Sequence, residues 1–100
     1  MKKKAVFILL IAIILILTSC KSETYEFNGE IIEIYGSSAI VLIDENEDIR
    51  NSGDKVDVDL TKNTDVEFSI GDRVKVEYDG KVQEKYPLGI NTISVELISD

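Results

Sequence analysis

The chain has no histidine and, among its 100 residues, a single cysteine. The first absence removes Ser-His-Asp and Cys-His constellations and every other acid–base scheme that turns on an imidazole. The second removes an internal disulfide, so a domain of about 80 residues must be held by its apolar core alone, and modest stability is expected. Internal repeats and low-complexity segments are missing as well. So is a long apolar run: the longest is the thirteen residues from Ala5 to Leu17. At about 1.5 Å per residue they span roughly 20 Å as a helix, short of the roughly 30 Å hydrocarbon core. Behind Lys2, Lys3 and Lys4 this run reads as the h-region of a signal peptide. The alternative is an uncleaved N-terminal anchor.

The one cysteine directly follows that run. Leu17-Thr18-Ser19-Cys20 resembles the bacterial lipobox, an aliphatic residue and two small residues before cysteine. The resemblance implies cleavage just before Cys20 and a diacylglyceryl thioether on its sulfur. Small residues suit such a site because the peptidase needs extended backbone directly after the helix and the thiol must reach the lipid donor. A free reactive thiol or an intermolecular disulfide is the rival reading. The expected organisation is a signal peptide over residues 1–19, a lipidated cysteine and tether over 20–24, and one domain over 25–100. The tether from Lys21 to Thr24 reaches at most about 14 Å, which keeps the domain close to the bilayer.

Removing residues 1–19 sharpens the charge. The chain carries 11 Lys+Arg and 19 Asp+Glu, and the signal peptide takes three lysines and no acid, so eight basic residues face nineteen acidic ones, a net charge of −11. Nucleic acid is a poor partner for such a surface, because phosphate binding is driven by cationic side chains that displace counterions. Anionic headgroups repel it too, so attachment to the membrane rests on the acyl chains, at about 0.8 kcal/mol per buried CH₂. Solubility alone accounts for an acidic surface.

From Tyr25 onward the pattern has the period of strands. TYEFNGEIIEIYG alternates through Tyr25, Phe27, Gly29 and Ile31, then changes phase at Ile32 and Ile34, which suggests a bulge or sharp coil within one long strand. Ala39 to Ile43 is continuously apolar, as in a strand buried on both faces. DKVDVDL places Val56, Val58 and Leu60 on one face and Lys55, Asp57 and Asp59 on the other. Thr64 and Glu67 have capping-box spacing, which predicts a helical turn. GDRVKVEY alternates Val74, Val76 and Tyr78 with Arg73, Lys75 and Glu77, and Asp79-Gly80 fits a two-residue type I′ hairpin. TISVELI closes the chain with Ile93, Val95 and Leu97 facing inward. Five or six short strands with a bulged first strand predict an all-β domain, an OB-like barrel before a small β-sandwich.

Gly71 to Leu97, GDRVKVEYDGKVQEKYPLGINTISVEL, resembles a group of small, mostly Gram-positive lipoproteins and secreted proteins of uncharacterised function. Their shared pattern is GD-x-V-x-V, an aromatic residue, D-G, then Y-P and an apolar closing strand. Phe27-Asn28-Gly29-Glu30-Ile31 fits their opening strand, and the compact middle from Asp44 to Thr61 departs from them. The resemblance implies a fold and an extracytoplasmic location, and it brings no catalytic residue and no cofactor.

Candidate sites are few. Asp44, Asn46 and Asp48 stand at positions 1, 3 and 5 of an EF-hand-like loop, but Ile49 replaces the glycine at position 6 and Lys55 the glutamate at position 12. They are weak metal candidates, with a solvated acidic turn as the plain alternative. Tyr78, Asp79, Tyr86 and Pro87 form an aromatic–proline group that could be a recognition surface on a rigid barrel. Alternatively Tyr78 faces the core, Tyr86 packs over a barrel end and Pro87 forms a turn; a cis Tyr86-Pro87 bond is open to it. Arg73, Lys75 and Glu77 could meet Asp57 and Asp59 if their strands are neighbours. Carboxylate pairs can hydrolyse glycosides, but that needs a deep cleft, and little chain remains after packing a core. The expectation is therefore a membrane-anchored binding module rather than an enzyme, meeting a basic protein partner through its acidic surface. A small-ligand or Ca²⁺ binder is the alternative.

Overall fold

The structure is a computed structural model that describes residues 23–98. The expected signal peptide and the candidate lipidation site Cys20 lie outside the described residues. Five strands, β1 (Tyr25–Tyr35), β2 (Ser38–Ile43), β3 (Lys55–Asp59), β4 (Arg73–Gln83) and β5 (Leu88–Leu97), close into one barrel in the order β1-β2-β3-β5-β4. Only the β3–β5 pairing is parallel, and it is short, Val56 opposite Leu88 and Asp57 opposite Gly89. A five-stranded Greek-key barrel of this order is OB-like, and closure excludes the sandwich. Among the described residues no helix is long and apolar enough to cross a membrane.

Closure depends on β1 serving two partners. Its first half pairs with β4, from Tyr25 opposite Tyr78 to Glu30 opposite Arg73, and the run from Gly29 to Tyr35 pairs with β2. The strand must coil sharply to do this. The register slips between Ile31 and Glu33, leaving Ile32 as the extra residue, which is the phase change visible in the sequence. Beside the bulge, Gly29 lets β2 approach: a Cβ there would lie 2.5 Å from Val41 Cγ1 and 2.6 Å from Leu42 O.

The alternating valines fill the interior. Phe27, Ile31, Val41, Ile43, Val56, Val58, Val74, Val76 and Val95 are all fully buried. Phe27 packs edge-on to Tyr78, ring centroids 5.7 Å apart. Where β3 and β5 diverge beyond their two paired positions, the buried Thr92 fills the gap, its Oγ1 accepting from Asp59 N at 3.1 Å. The backbone amide of β3 is thereby satisfied without a ladder partner.

Four local expectations are corrected. No helical turn forms at Thr64–Glu67; the turn is a 3-10 one at Leu60–Lys62. Asp59 wins as its cap, accepting from Thr61 N at 2.9 Å, and Asn63 is drawn to the barrel, donating from Nδ2 to Val95 O at 2.8 Å. Asp79-Gly80 is not a hairpin. Only Gly80 has positive φ, +88°, where a type I′ turn needs two such residues, so β4 bulges there and runs on to Gln83. The Tyr25 ring lies against Gly80, in the space a side chain would take. Ile93 and Leu97 are exposed, because a register shift opposite Glu77 and Tyr78 turns Thr92 inward in place of Ile93, and Leu97 ends the strand. Finally, β4 borders β1 and β5 and not β3, so Lys75 pairs with Glu26 (3.6 Å) and Arg73 with Asp44 (2.5 Å) rather than with Asp57 or Asp59.

Candidate binding cleft

A turn at Gly36 (φ +58°) joins β1 to β2, and residues 84–87 join β4 to β5 through a cis Tyr86-Pro87 bond. These two connections flank the outward face of β3. Between them lies a cleft of about 340 Å³. One wall carries Ser37 and Ser38; the other carries Gln83 and Lys85; Asp57 and Asp59 stand on β3 between them. A second hollow of about 210 Å³ continues along the hairpin past Lys81 and Asn91, sharing Gln83, Gly89 and Ile90 with the first.

Strand register explains why these groups meet. Ser38 is opposite Asp59 across β2 and β3, Asp57 is opposite Gly89 across β3 and β5, and Gly89 is opposite Gln83 across β5 and β4. Residues directly opposite share a face, so one outward row crosses four strands. Gly89 keeps the floor of this row low. A Cβ there would sit 2.7 Å from Gln83 Oε1 and 2.9 Å from Lys85 Cε, so those two side chains lie across the glycine.

The charged groups are held differently. Asp59 Oδ1 accepts from both Thr61 N and Thr61 Oγ1, the second at 2.6 Å. Those bonds stabilise the carboxylate and hold Asp59 below the usual aspartate range. The Tyr35 hydroxyl donates to Asp57 Oδ2. That bond, reinforced by burial and by the negative charge of Asp57 and Glu33, pushes the phenol up to about 12. Tyr35, opposite Ser38 on β2, thereby links β1 to Asp57 on β3 across the intervening strand. Lys81 and Lys85 make no ion pair among the described residues.

The candidates read from sequence are divided by the structure. Tyr78 is buried at 7% exposure, a core residue and not part of a surface, and burial raises its phenol. Asp79 braces the β4 bulge, accepting from Lys81 N at 2.9 Å and from Asn91 Nδ2 at 2.7 Å, which lowers its carboxyl. Tyr86 is 68% exposed beside Pro87, with Lys55 Nζ 5.8 Å from its ring centroid. Tyr86, Pro87 and Asp79 thus border the hairpin, but they do not line the main cleft.

The acidic turn is structural in its main contacts. Asp44 receives two bonds from Arg73, at 2.7 and 2.5 Å, and Glu47 Oε2 accepts from Asn28 N at 2.6 Å. The guanidinium holds Asp44 below its ordinary value. Asp48 opens a 3-10 turn, Asp48–Asn51, whose Arg50 donates to Ile43 O at 2.6 Å. Arg73 thus occupies both oxygens of Asp44, which makes this carboxylate less available to a cation. Among the described residues no group of three or more acidic side chains is placed to hold a metal ion.

The sequence reading did not single out Ser37, Ser38, Gln83, Lys85 or Gly89, and met Asp57 and Asp59 only as ion-pair partners. The signal that could have found them is the barrel itself, since OB-type barrels bind on the face of strands 2 and 3 between the β1–β2 and β4–β5 connections. Placing the last hairpin at Asp79-Gly80 moved that connection away from the face.

The chain matches no family model and no curated protein. It is similar in fold to the YobA protein of Bacillus subtilis. The crystal structure of YobA aligns at 19% identity and a TM-score of 0.59, over 78% of this chain and 98% of that one. A solution NMR structure of YobA residues 21–120 aligns at 19% identity and 0.57, over 78% and 84%.

Proposed function

We propose that the chain is a lipid-anchored, extracytoplasmic binding module without catalytic activity, and that its ligand occupies the cleft across β3. The single observation that carries the binding reading is the convergence of polar groups from β2, β3 and the β4–β5 hairpin on one recess of about 340 Å³. That volume is in the range of small-ligand sites, about 300–1,000 Å³. The recess brings no imidazole and no thiol, which supports recognition over catalysis. Two carboxylates on its floor oppose a polyanion, and the −11 charge of the chain after Ser19 does so at longer range.

The anchor rests on the lipobox-like Leu17-Thr18-Ser19-Cys20 and on the resemblance of Gly71–Leu97 to small Gram-positive lipoproteins. Diacylglyceryl attachment to Cys20 would hold the barrel at the outer membrane surface, where a partner carrying positive charge meets an acidic body. The recess also favours a small polar ligand as the second reading, whereas engagement of Asp44 by Arg73 disfavours Ca²⁺ at the acidic turn.

Crosslinking in living cells, followed by mass spectrometry of what copurifies, tests the module. A recurrent partner that is lost in high salt supports the acidic interaction surface. Fractionation tests the anchor: the protein partitions with membranes, and Cys20→Ala releases it while its melting temperature stays unchanged. A Cys20→Ala protein that is still processed yet remains membrane-bound contradicts the anchoring.

A further inference from the structure

The cleft is polarised. Its β3 floor carries Asp57 and Asp59, and its hairpin side carries Lys85, with Lys81 further along the continuing hollow. Positive side chains are scarce in this chain, and most are committed. Arg73 is bonded to Asp44, Lys75 pairs with Glu26, Arg50 donates to a backbone carbonyl, and Lys55 lies over the Tyr86 ring. Lys62, Lys81 and Lys85 have no ion pair among the described residues, although acidic groups outnumber basic ones throughout, and of these three Lys85 lines the recess and Lys81 the continuing hollow. Lys85 even shares the recess with Asp57 and Asp59 and bonds neither.

The carboxylates have capacity to spare. Asp57 accepts one bond, from Tyr35, at Oδ2, and Asp59 accepts only at Oδ1, so one oxygen of each is without a protein partner among the described residues. Between the charged ends stand neutral donors and acceptors, the Ser37 and Ser38 hydroxyls and the Gln83 amide. Separated charges with amide-compatible groups between them match a dipolar ligand rather than an ion of one sign.

We propose that the cleft binds a short peptide bearing a free amino group and a free carboxylate, with the ammonium at Asp57 and Asp59 and the carboxylate at Lys85 and Lys81. This rests on the cleft being the binding site. The orientation follows from charge alone. The ammonium gains two acceptors that the fold leaves open, and the carboxylate gains two lysines that make no ion pair among the described residues. Capping either end removes one charge-assisted contact and leaves the opposing side chains unanswered. A free peptide and an N-blocked peptide that carries its amine on a lysine side chain share this chemistry.

The test is a titration of the full chain, held in a neutral glycoside detergent, followed by NMR. The probes are Ala-Ala-Ala, its N-acetyl and C-amide forms, and N-acetyl-Lys-Ala-Ala. We expect shift changes at Ser38, Asp57, Gln83 and Gly89 with Ala-Ala-Ala or N-acetyl-Lys-Ala-Ala. Which of the two binds identifies a free or an N-blocked source. N-acetyl-Ala-Ala-Ala, which has no amine, and the C-amide of Ala-Ala-Ala should each bind about tenfold or more weakly. Lys85→Met, which keeps the aliphatic stem, should lose about tenfold affinity for a carboxylate-bearing probe and none for its amide, and Asp59→Asn the reverse for the amine. Lys75→Met, on the β1–β4 face, should change nothing. Equal binding of capped and free peptides overturns the proposal, as does an unchanged affinity in Lys85→Met. Absence of any shift at 10 mM probe, about the weak end of measurable affinity, overturns it too. If partners are nevertheless crosslinked from the cleft in cells, the binding reading survives and only this ligand class is lost.

Discussion

Replacing Gly29 with alanine puts a methyl group where β1 and β2 have no room for one. The new carbon would lie 2.5 Å from Val41 Cγ1 and 2.6 Å from Leu42 O. Neither neighbour can give way easily. Val41 is fully buried and branched at Cβ, and Leu42 lies in the β1–β2 ladder opposite Glu30. Relief requires β1 and β2 to separate by several tenths of an ångström at the point where β1 turns from one partner to the other. Overpacking of this kind costs about 1–3 kcal/mol, and with two rigid neighbours the upper end applies. A barrel of this size has a total stability of about 4–11 kcal/mol at the usual per-residue value. At about 4–8 °C per kcal/mol for a small domain, the melting temperature should fall by about 10 °C or more. Gly36→Ala is the control. Nothing lies within 4 Å of its Cβ, so only the positive φ of +58° is penalised, about 1 kcal/mol. Thermal and urea melts by circular dichroism give both numbers. A Gly29→Ala protein that melts within about 3 °C of the parent, or no lower than Gly36→Ala, refutes the close-approach argument.

Other expectations follow from the same geometry. Asp44 is held below its unfolded value by Arg73, so its contribution is present above about pH 4 and is lost as pH falls through the depressed folded value; Asp44→Asn should cost about 1–2 kcal/mol at pH 7 and flatten the acid limb of a pH–stability curve. Tyr35 is pushed up to about 12, so its contribution is complete below pH 10 and disappears as pH rises through 12. Ultraviolet titration should show one late phenol that moves back toward 10 in Asp57→Asn; an unmoved midpoint would mean the hydrogen bond is not its cause. Tyr78→Ala should cost about 3–5 kcal/mol as a buried aromatic truncated in the core, whereas Tyr86→Ala, at an exposed site, should stay within about 0.5 kcal/mol in the same urea melts.

The all-β barrel was legible because its strands obey period two wherever one face is buried. Val56 and Val58, and Val74, Val76 and Tyr78, alternate in the sequence and fill the interior. The break at Ile32 was legible for the same reason, since a bulge shifts parity. Errors arose where a local signal competed with long-range pairing. Asp79-Gly80 carries turn chemistry, yet Val82 and Gln83 find partners in Ile90 and Gly89, and the ladder continues past it. TISVELI alternates cleanly, but Thr92 is claimed by the amide of Asp59 on a strand 33 residues away, which turns Ile93 out. The bond between Arg73 and Asp44 spans 29 residues and has no local signature at all. The cleft was illegible for a related reason. Ser38, Asp57, Gly89 and Gln83 are ordinary residues one by one, and only the register of four strands places them in one row.

The most direct measurement of where this protein works is site-specific photo-crosslinking in living cells. One benzoylphenylalanine replaces Ser38 in the cleft, and another replaces Lys75 on the outer β1–β4 face. A recurrent adduct should form from position 38 and not from position 75, and high salt should weaken it. Adducts of equal yield from both positions, or from position 75 alone, would contradict the assignment of binding to the β3 cleft.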